Sequence, residues 1–164
     1  MSKAFTREDD DAPEAEVSRW DRPRVPPGVR NLVTPDGLKA WQEELALLVG
    51  QEEEGRVDPG KGNDLRDRIQ QLRAYLRSAV PSAPPPAGDD RIRFGAEVTV
   101  RNPGSEPIRY RIVGVDEVDL DRDWVSWLSP VAKALLQRRV GDQVRLKVPG
   151  GETLLTIVGF EYRR

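Results

Sequence analysis

The pattern of apolar and polar positions divides the chain into a helical part and a strand-rich part. In the first, Leu38, Trp41, Leu45 and Leu48 recur at spacings of three, four and three. That is the narrow apolar seam of a two-helix coiled coil. Thr34-Pro35-Asp36 ahead of it predicts a helix start, with a capping hydroxyl, a proline at the first position and an acid in the first turn. Gly37 reads as weakening that start, and Gly50 and Gly55 as weakening the far end. The stretch from Gly55 to Asn63, with Asp58-Pro59-Gly60-Lys61-Gly62 inside it, reads as a turn. A second helix is expected from Asn63 or Asp64, where Leu65, Ile69, Leu72 and Leu76 repeat at four, three and four. Two matching seams joined by a short turn predict an antiparallel helical hairpin over residues 31–80. Arms of roughly 15–20 residues would make it ~25–30 Å long.

The second part, residues 92–164, carries strand signals. Ala96-Glu97-Val98-Thr99-Val100, Ile108-Arg109-Tyr110-Arg111-Ile112, Trp124-Val125-Ser126-Trp127, Val144-Arg145-Leu146-Lys147-Val148 and the run from Thr153 to Tyr162 are rich in Val, Ile, Tyr, Trp and Thr. Several alternate apolar with polar, as strands with one buried face do. Turns are marked at Asn102-Pro103-Gly104 and Pro149-Gly150-Gly151. Among these strands stands one helical signal, Ser129-Pro130-Val131-Ala132-Lys133-Ala134-Leu135-Leu136, with Ser129 as cap and Gly141 as the residue expected to end the helix. Trp124 and Trp127, three apart, are expected on opposite faces of a strand, one of them in the core. The fold class is therefore α+β, a hairpin followed by an antiparallel β domain with one helix.

The remaining stretches change the picture less. Residues 1–30 hold the acidic run Glu8-Asp9-Asp10-Asp11 and three prolines near their end, with few apolar residues, and read as a disordered acidic, Pro-rich tail. Phe5 or Trp20 could serve there as a docking motif. Residues 81–91 read as a Pro-rich linker, semi-rigid at Pro84 to Pro86. No apolar run is long enough to span a bilayer, and the start of the chain lacks a signal-peptide core, so neither membrane nor export is expected. The chain has no cysteine and no histidine. That removes thiol and imidazole chemistry and the usual zinc sites. A net charge of −2 gives no basic footprint for direct nucleic-acid binding. Together these point to a binding protein rather than an enzyme.

Several linked motifs resemble one family. They are Phe94-Gly95-Ala96, then Tyr110-Arg111-Ile112-Val113-Gly114 with Asp116-Glu117, then Ser129-Pro130 through Leu136, Val140-Gly141-Asp142, Pro149-Gly150-Gly151-Glu152 and Phe160-Glu161-Tyr162. In this order they resemble the bacterial transcript-cleavage and elongation factors GreA and GreB. Val33 to Leu38 and Arg68 to Leu76 resemble the two ends of that family's hairpin. The resemblance implies an FKBP-like C-terminal domain that binds bacterial RNA polymerase at the rim of its secondary channel. It implies a hairpin that enters the channel, where acids at its tip help to hold a magnesium ion while the polymerase cleaves the RNA. Asp116, Glu117, Ser129, Pro130, Val131 and Ala134 are the polymerase-contact candidates it implies. Contact with nucleic acid would be indirect, through the elongation complex, in a cytoplasmic monomer.

The departure from the family lies at the tip. Its Gly-Asp-x-x-Glu-Asn-Ala-Glu-Tyr type of motif has no clear counterpart here, and Gly62-Asn63-Asp64-Leu65-Arg66-Asp67 is only a loose echo. The hairpin-tip acid candidates are Glu52, Glu53, Glu54, Asp58, Asp64 and Asp67. Three consecutive acids on a helix point in directions about 100° apart, so Glu52 to Glu54 do not converge on one ion. The expectation is an elongation regulator without a cofactor of its own and with weak or no stimulation of cleavage. The alternatives are a true cleavage-stimulating factor and, from the fold alone, a prolyl isomerase or other protein-binding module. The phosphate-loop hint at Lys61-Gly62 and the calcium-loop hint at Asp119, Asp121 and Asp123 lack their remaining residues.

Overall fold

The computed structural model describes residues 25–56 and 60–163. The expected acidic run, Phe5 and Trp20 lie outside the described residues, as does Asp58. Among the described residues the element order is β1 (Asn31–Val33), α1 (Pro35–Glu53), α2 (Gly62–Ser78), β2 (Ala79–Pro81), β3 (Ala96–Arg101), β4 (Ile108–Val113), β5 (Trp124–Ser126), α3 (Pro130–Leu135), β6 (Gln143–Val148) and β7 (Gly151–Tyr162). Two short 3₁₀ turns, Val115–Glu117 and Leu120–Arg122, stand between β4 and β5.

Helices α1 and α2 form the hairpin that the two seams predict. Val33, Trp41 and Leu72 make its buried centre, with Leu38, Leu45, Leu48, Tyr75 and Leu76 packed around them. The Trp41 and Tyr75 rings lie 5.2 Å apart and tilted by 40°. The 19 residues of α1 and the 17 of α2 give arms of ~25–28 Å. Halfway along, Arg68 grips Glu44 with two hydrogen bonds, Nε to Oε1 at 2.6 Å and Nη2 to Oε2 at 2.7 Å. This forked pairing fixes the register of the arms more firmly than a single exposed ion pair could. The base is closed by an unexpected element. Strands β1 and β2 pair in parallel, Asn31 opposite Ala79 and Val33 opposite Pro81. Ser82 N–H extends the pairing by donating to Val33 O at 3.0 Å.

The second part is a five-stranded sheet in the order β5-β4-β3-β7-β6. Its pairs are antiparallel except the first, because β5 runs parallel to β4. The expected all-antiparallel sheet is corrected on this point: the chain between β4 and β5 crosses over through the two 3₁₀ turns instead of reversing in a hairpin. One face carries the core. Val98, Val100, Ile112, Leu155 and Ile157 meet Ala132 and Leu135 of α3 and Ile92 from the end of the linker. Helix α3 begins as expected, with Ser129 Oγ accepting the Ala132 N–H at 3.2 Å. It ends sooner than Gly141 would have it. Gln137 turns to a positive φ of 68° and gives its N–H to Ile92 O at 2.8 Å, while Ile92 N–H donates to Arg138 O at 2.8 Å. This two-bond clip draws the chain off the helix, and Gly141 instead shapes the later turn into β6.

Candidate functional site

Where the hairpin meets the β domain, three carboxylates have fixed partners, and two of them, Asp116 and Glu117, are buried. Glu117 is 8% exposed, and its Oε2 accepts the backbone N–H groups of Thr34 at 3.0 Å and Gly114 at 2.9 Å. Its Oε1 accepts the Thr34 hydroxyl. The same hydroxyl oxygen accepts the Gly37 N–H at 3.1 Å and so caps α1. One acid of the β domain thus holds the N-cap residue of the hairpin helix at two atoms. Burial pushes the Glu117 carboxyl up from its ordinary value, against the pull of these donors and of Arg111.

Two glycines make the approach possible. A Cβ on Gly37 would collide with the Glu117 carboxylate, and a Cβ on Gly114 would collide with Leu32 O. The expectation that Gly37 weakens the helix start is therefore corrected. Its small size is what lets the β domain dock against that first turn.

Asp36 and Asp116 complete the junction. Arg111 Nη2 donates to Asp36 Oδ2 at 2.6 Å, and its guanidinium lies 4.6 Å over the Trp124 ring. Arg111 is only 2% exposed, and an interior cation of this kind needs both partners to offset its lost hydration. Desolvation pushes the Asp36 carboxyl up, but the hydrogen bond and charge of Arg111 outweigh it and hold the group below its ordinary range. Asn31 Nδ2 donates to Asp116 Oδ2 at 3.3 Å, linking β1 to the 3₁₀ turn after β4. Asp116 and Glu117 are thus buried and turned toward the hairpin. In this arrangement both carboxylates serve the junction. Their adjacency to the glycine at 114, with Gly37 across the junction, was the available signal for this role.

The other contact candidates sit on α3. Ser129 is half-buried and occupied as the cap, and Pro130 is exposed. Val131 and Ala134 lean partly on the core. The two tryptophans separate as expected. Trp127 packs on the core, whereas Trp124 faces the guanidinium groups of Arg111, Arg122 and Arg163.

The tip is arranged differently. Glu52 pairs with Arg66 at 3.0 Å and Glu54 with Arg56 at 3.1 Å. Glu53, Asp64 and Asp67 are exposed along the two arms. Among the described residues, no three acidic side chains gather closely enough to hold a metal ion.

The comparisons with known proteins converge. A family model described as "Transcription elongation factor, GreA/GreB, C-term" matches residues 87–162. Over 166 residues the chain is 36% identical to transcription elongation factor GreB of Pseudomonas aeruginosa, covering 89% of this chain and 98% of that one. It is 34% identical over 171 residues to GreB of Xanthomonas axonopodis pv. citri, with the same coverages. It is 30% identical over 151 residues to GreA of Syntrophotalea carbinolica, covering 79% of this chain and 96% of that one. The chain belongs to the GreA/GreB family. It is an elongation factor of that type, with a helical hairpin and a β domain joined at the three-carboxylate junction. The Pseudomonas alignment runs over 166 positions, yet 89% of this 164-residue chain is about 146 residues, so about twenty positions of that factor have no counterpart here.

Proposed function

We propose that this chain binds bacterial RNA polymerase through its β domain, at the rim of the secondary channel, and regulates elongation with little or no stimulation of transcript cleavage. The observation that carries the reading is the state of the tip: among the described residues its acids are dispersed or paired with arginines, and they do not converge. The unmatched positions support it. If they fall in the hairpin, about ten residues are missing from each arm, or ~15 Å of reach. A metal ligand must be placed to within a few tenths of an ångström, so a tip that much shorter fails at the task whatever acids it bears. Catalysis of RNA cleavage, where it occurs, would belong to the polymerase, and the protein would act as a monomer in the cytoplasm.

In this reading α3 supplies the contact face, through Pro130 and the outer edges of Val131 and Ala134. Asp116 and Glu117 act by positioning, because they set the direction in which the hairpin leaves the β domain. The test uses polymerase stalled in a backtracked complex. Added alone, the protein is expected to leave the RNA length unchanged. Added with a full-length cleavage factor, it is expected to slow cleavage in proportion to its concentration. Pro130→Asp should remove that competition. Robust cleavage by the protein alone, lost on Glu53→Gln or Asp64→Asn substitution, would overturn the reading.

A further inference from the structure

Val25, the first described residue, forms part of the wall of a groove between α2 and the β1–β2 pair. The groove has a volume of about 810 Å³ and takes its apolar lining from Val29, Ala74, Tyr75 and Val80. Asn31 also lines it and is only 7% exposed. Asn31 Nδ2 donates to Ser78 Oγ at 2.9 Å and to Asp116 Oδ2 at 3.3 Å. This fixes the amide and makes Oδ1 the acceptor left over, and that buried oxygen has no hydrogen-bond partner. A buried acceptor without a donor is costly, so the groove joins an apolar wall and a polar rim that includes Arg30, Gln70 and Gln71 to one unmet polar demand.

We propose that this groove is the docking seat of the chain's own N-terminal segment, with Trp20 as the anchor and its indole N–H donating to Asn31 Oδ1. Position allows it, since Trp20 is five residues before Val25 and extended chain of that length reaches at most about 18 Å. Chemistry selects it. An indole combines a large apolar body with a single donor, which is what the groove lacks. Phe5, the other aromatic residue before Val25, has no donor and is twenty residues away. Charge favours the same course. Residues 8–16 carry six acids and no base, while Arg73 and Arg77 stand exposed on α2 beside the groove-lining Ala74 and Ser78. A segment anchored at Trp20 brings that acidic run within reach of those arginines and screens them from outside anions. This groove lies at the base of the hairpin, so its occupancy does not depend on whether the tip enters a channel.

The test is hydrogen–deuterium exchange on the full chain, comparing wild type with Trp20→Ala and Trp20→Phe. Unchanged exchange in β3, β4 and β7 serves as the control that the variants keep the fold. The expected result is protection of residues 15–25 and 70–80 in wild type and an increase of about fivefold or more in their exchange in Trp20→Ala. Trp20→Phe keeps a ring without the donor and should fall between the two. Raising the salt concentration should weaken the protection, as the acidic run is screened from Arg73 and Arg77. Equal exchange in wild type and Trp20→Ala would overturn the proposal. Protection that grows with protein concentration would also overturn it, by giving the groove to a second copy of the chain. If Trp20→Phe matches wild type, the bond to Asn31 is refuted.

Discussion

The two ends of the hairpin use the same chemical group in opposite ways. At the base, Asp36, Asp116 and Glu117 are carboxylates with fixed partners, brought together from sequence positions about eighty apart. At the tip, Glu52, Glu53, Glu54, Asp64 and Asp67 are near one another in sequence and spread out in space. The difference shows that a cluster of acids in a sequence is a poor guide to a site. What makes an acid informative is burial and a set of donors aimed at it, and the base has these where the tip does not.

The contrast is broken most severely by adding a single carbon at the base. Gly114→Ala would push a methyl group into Leu32 O, a backbone atom that cannot move without disturbing β1. The expected cost is about 3 kcal/mol, read as a drop in the chemical denaturation midpoint. Gly37→Ala should cost less, because its obstacle is the end of a side chain. Glu117→Ala comes next. It leaves the Thr34 and Gly114 N–H groups buried without an acceptor, for a loss of about 2 kcal/mol. Glu117→Gln keeps one acceptor oxygen and should lose less than half of that. By contrast, replacing Glu52, Glu53 and Glu54 together with glutamine should change stability by no more than about 0.5 kcal/mol, since exposed ion pairs contribute little. A loss at the tip comparable to that at the base would erase the distinction.

Titration sharpens the comparison, because two acids of the base have opposite signs. The Glu117 carboxyl is raised above its ordinary value of 4.5. Its contribution is therefore fully present below that pH and declines as pH rises through the folded-state value. The stability advantage of wild type over Glu117→Gln should accordingly shrink as pH rises above 4.5 and through the folded-state value. Asp36 is held below its ordinary value of 3.8, so its contribution is present above that pH and is lost as pH falls through the folded-state value. Asp36→Asn should remove that acid-side loss. Paired denaturation curves across pH measure both effects.

Much of this architecture is legible in the spacing of apolar residues. The seams Leu38-Trp41-Leu45-Leu48 and Leu65-Ile69-Leu72-Leu76 specify the hairpin because one helix face must be covered, and Ser129-Pro130 fixes the start of α3. The junction is not legible this way. Thr34, Gly37, Gly114 and Glu117 each have an adequate local explanation as a cap, a weak position, a turn and a polar link. Only their meeting in space shows that one carboxylate serves all of them. The end of α3 was hidden for the same reason, since the Ile92 clip comes from a residue more than forty positions earlier. The parallel β1–β2 pair consists of three residues on each side, too short for alternation to declare it.

The most direct measurement exploits the lack of cysteine in the chain. Glu53→Cys creates a unique thiol at the tip, to which an iron chelate that releases hydroxyl radicals can be attached. The labelled protein is then bound to a backtracked polymerase complex. The account predicts cuts in polymerase segments at the mouth of the secondary channel and an intact RNA 3′ end. Cutting of the RNA at its 3′ end would place the tip at the active centre and contradict the account. Absence of any cut in the polymerase would contradict it as well, by removing the binding on which it depends.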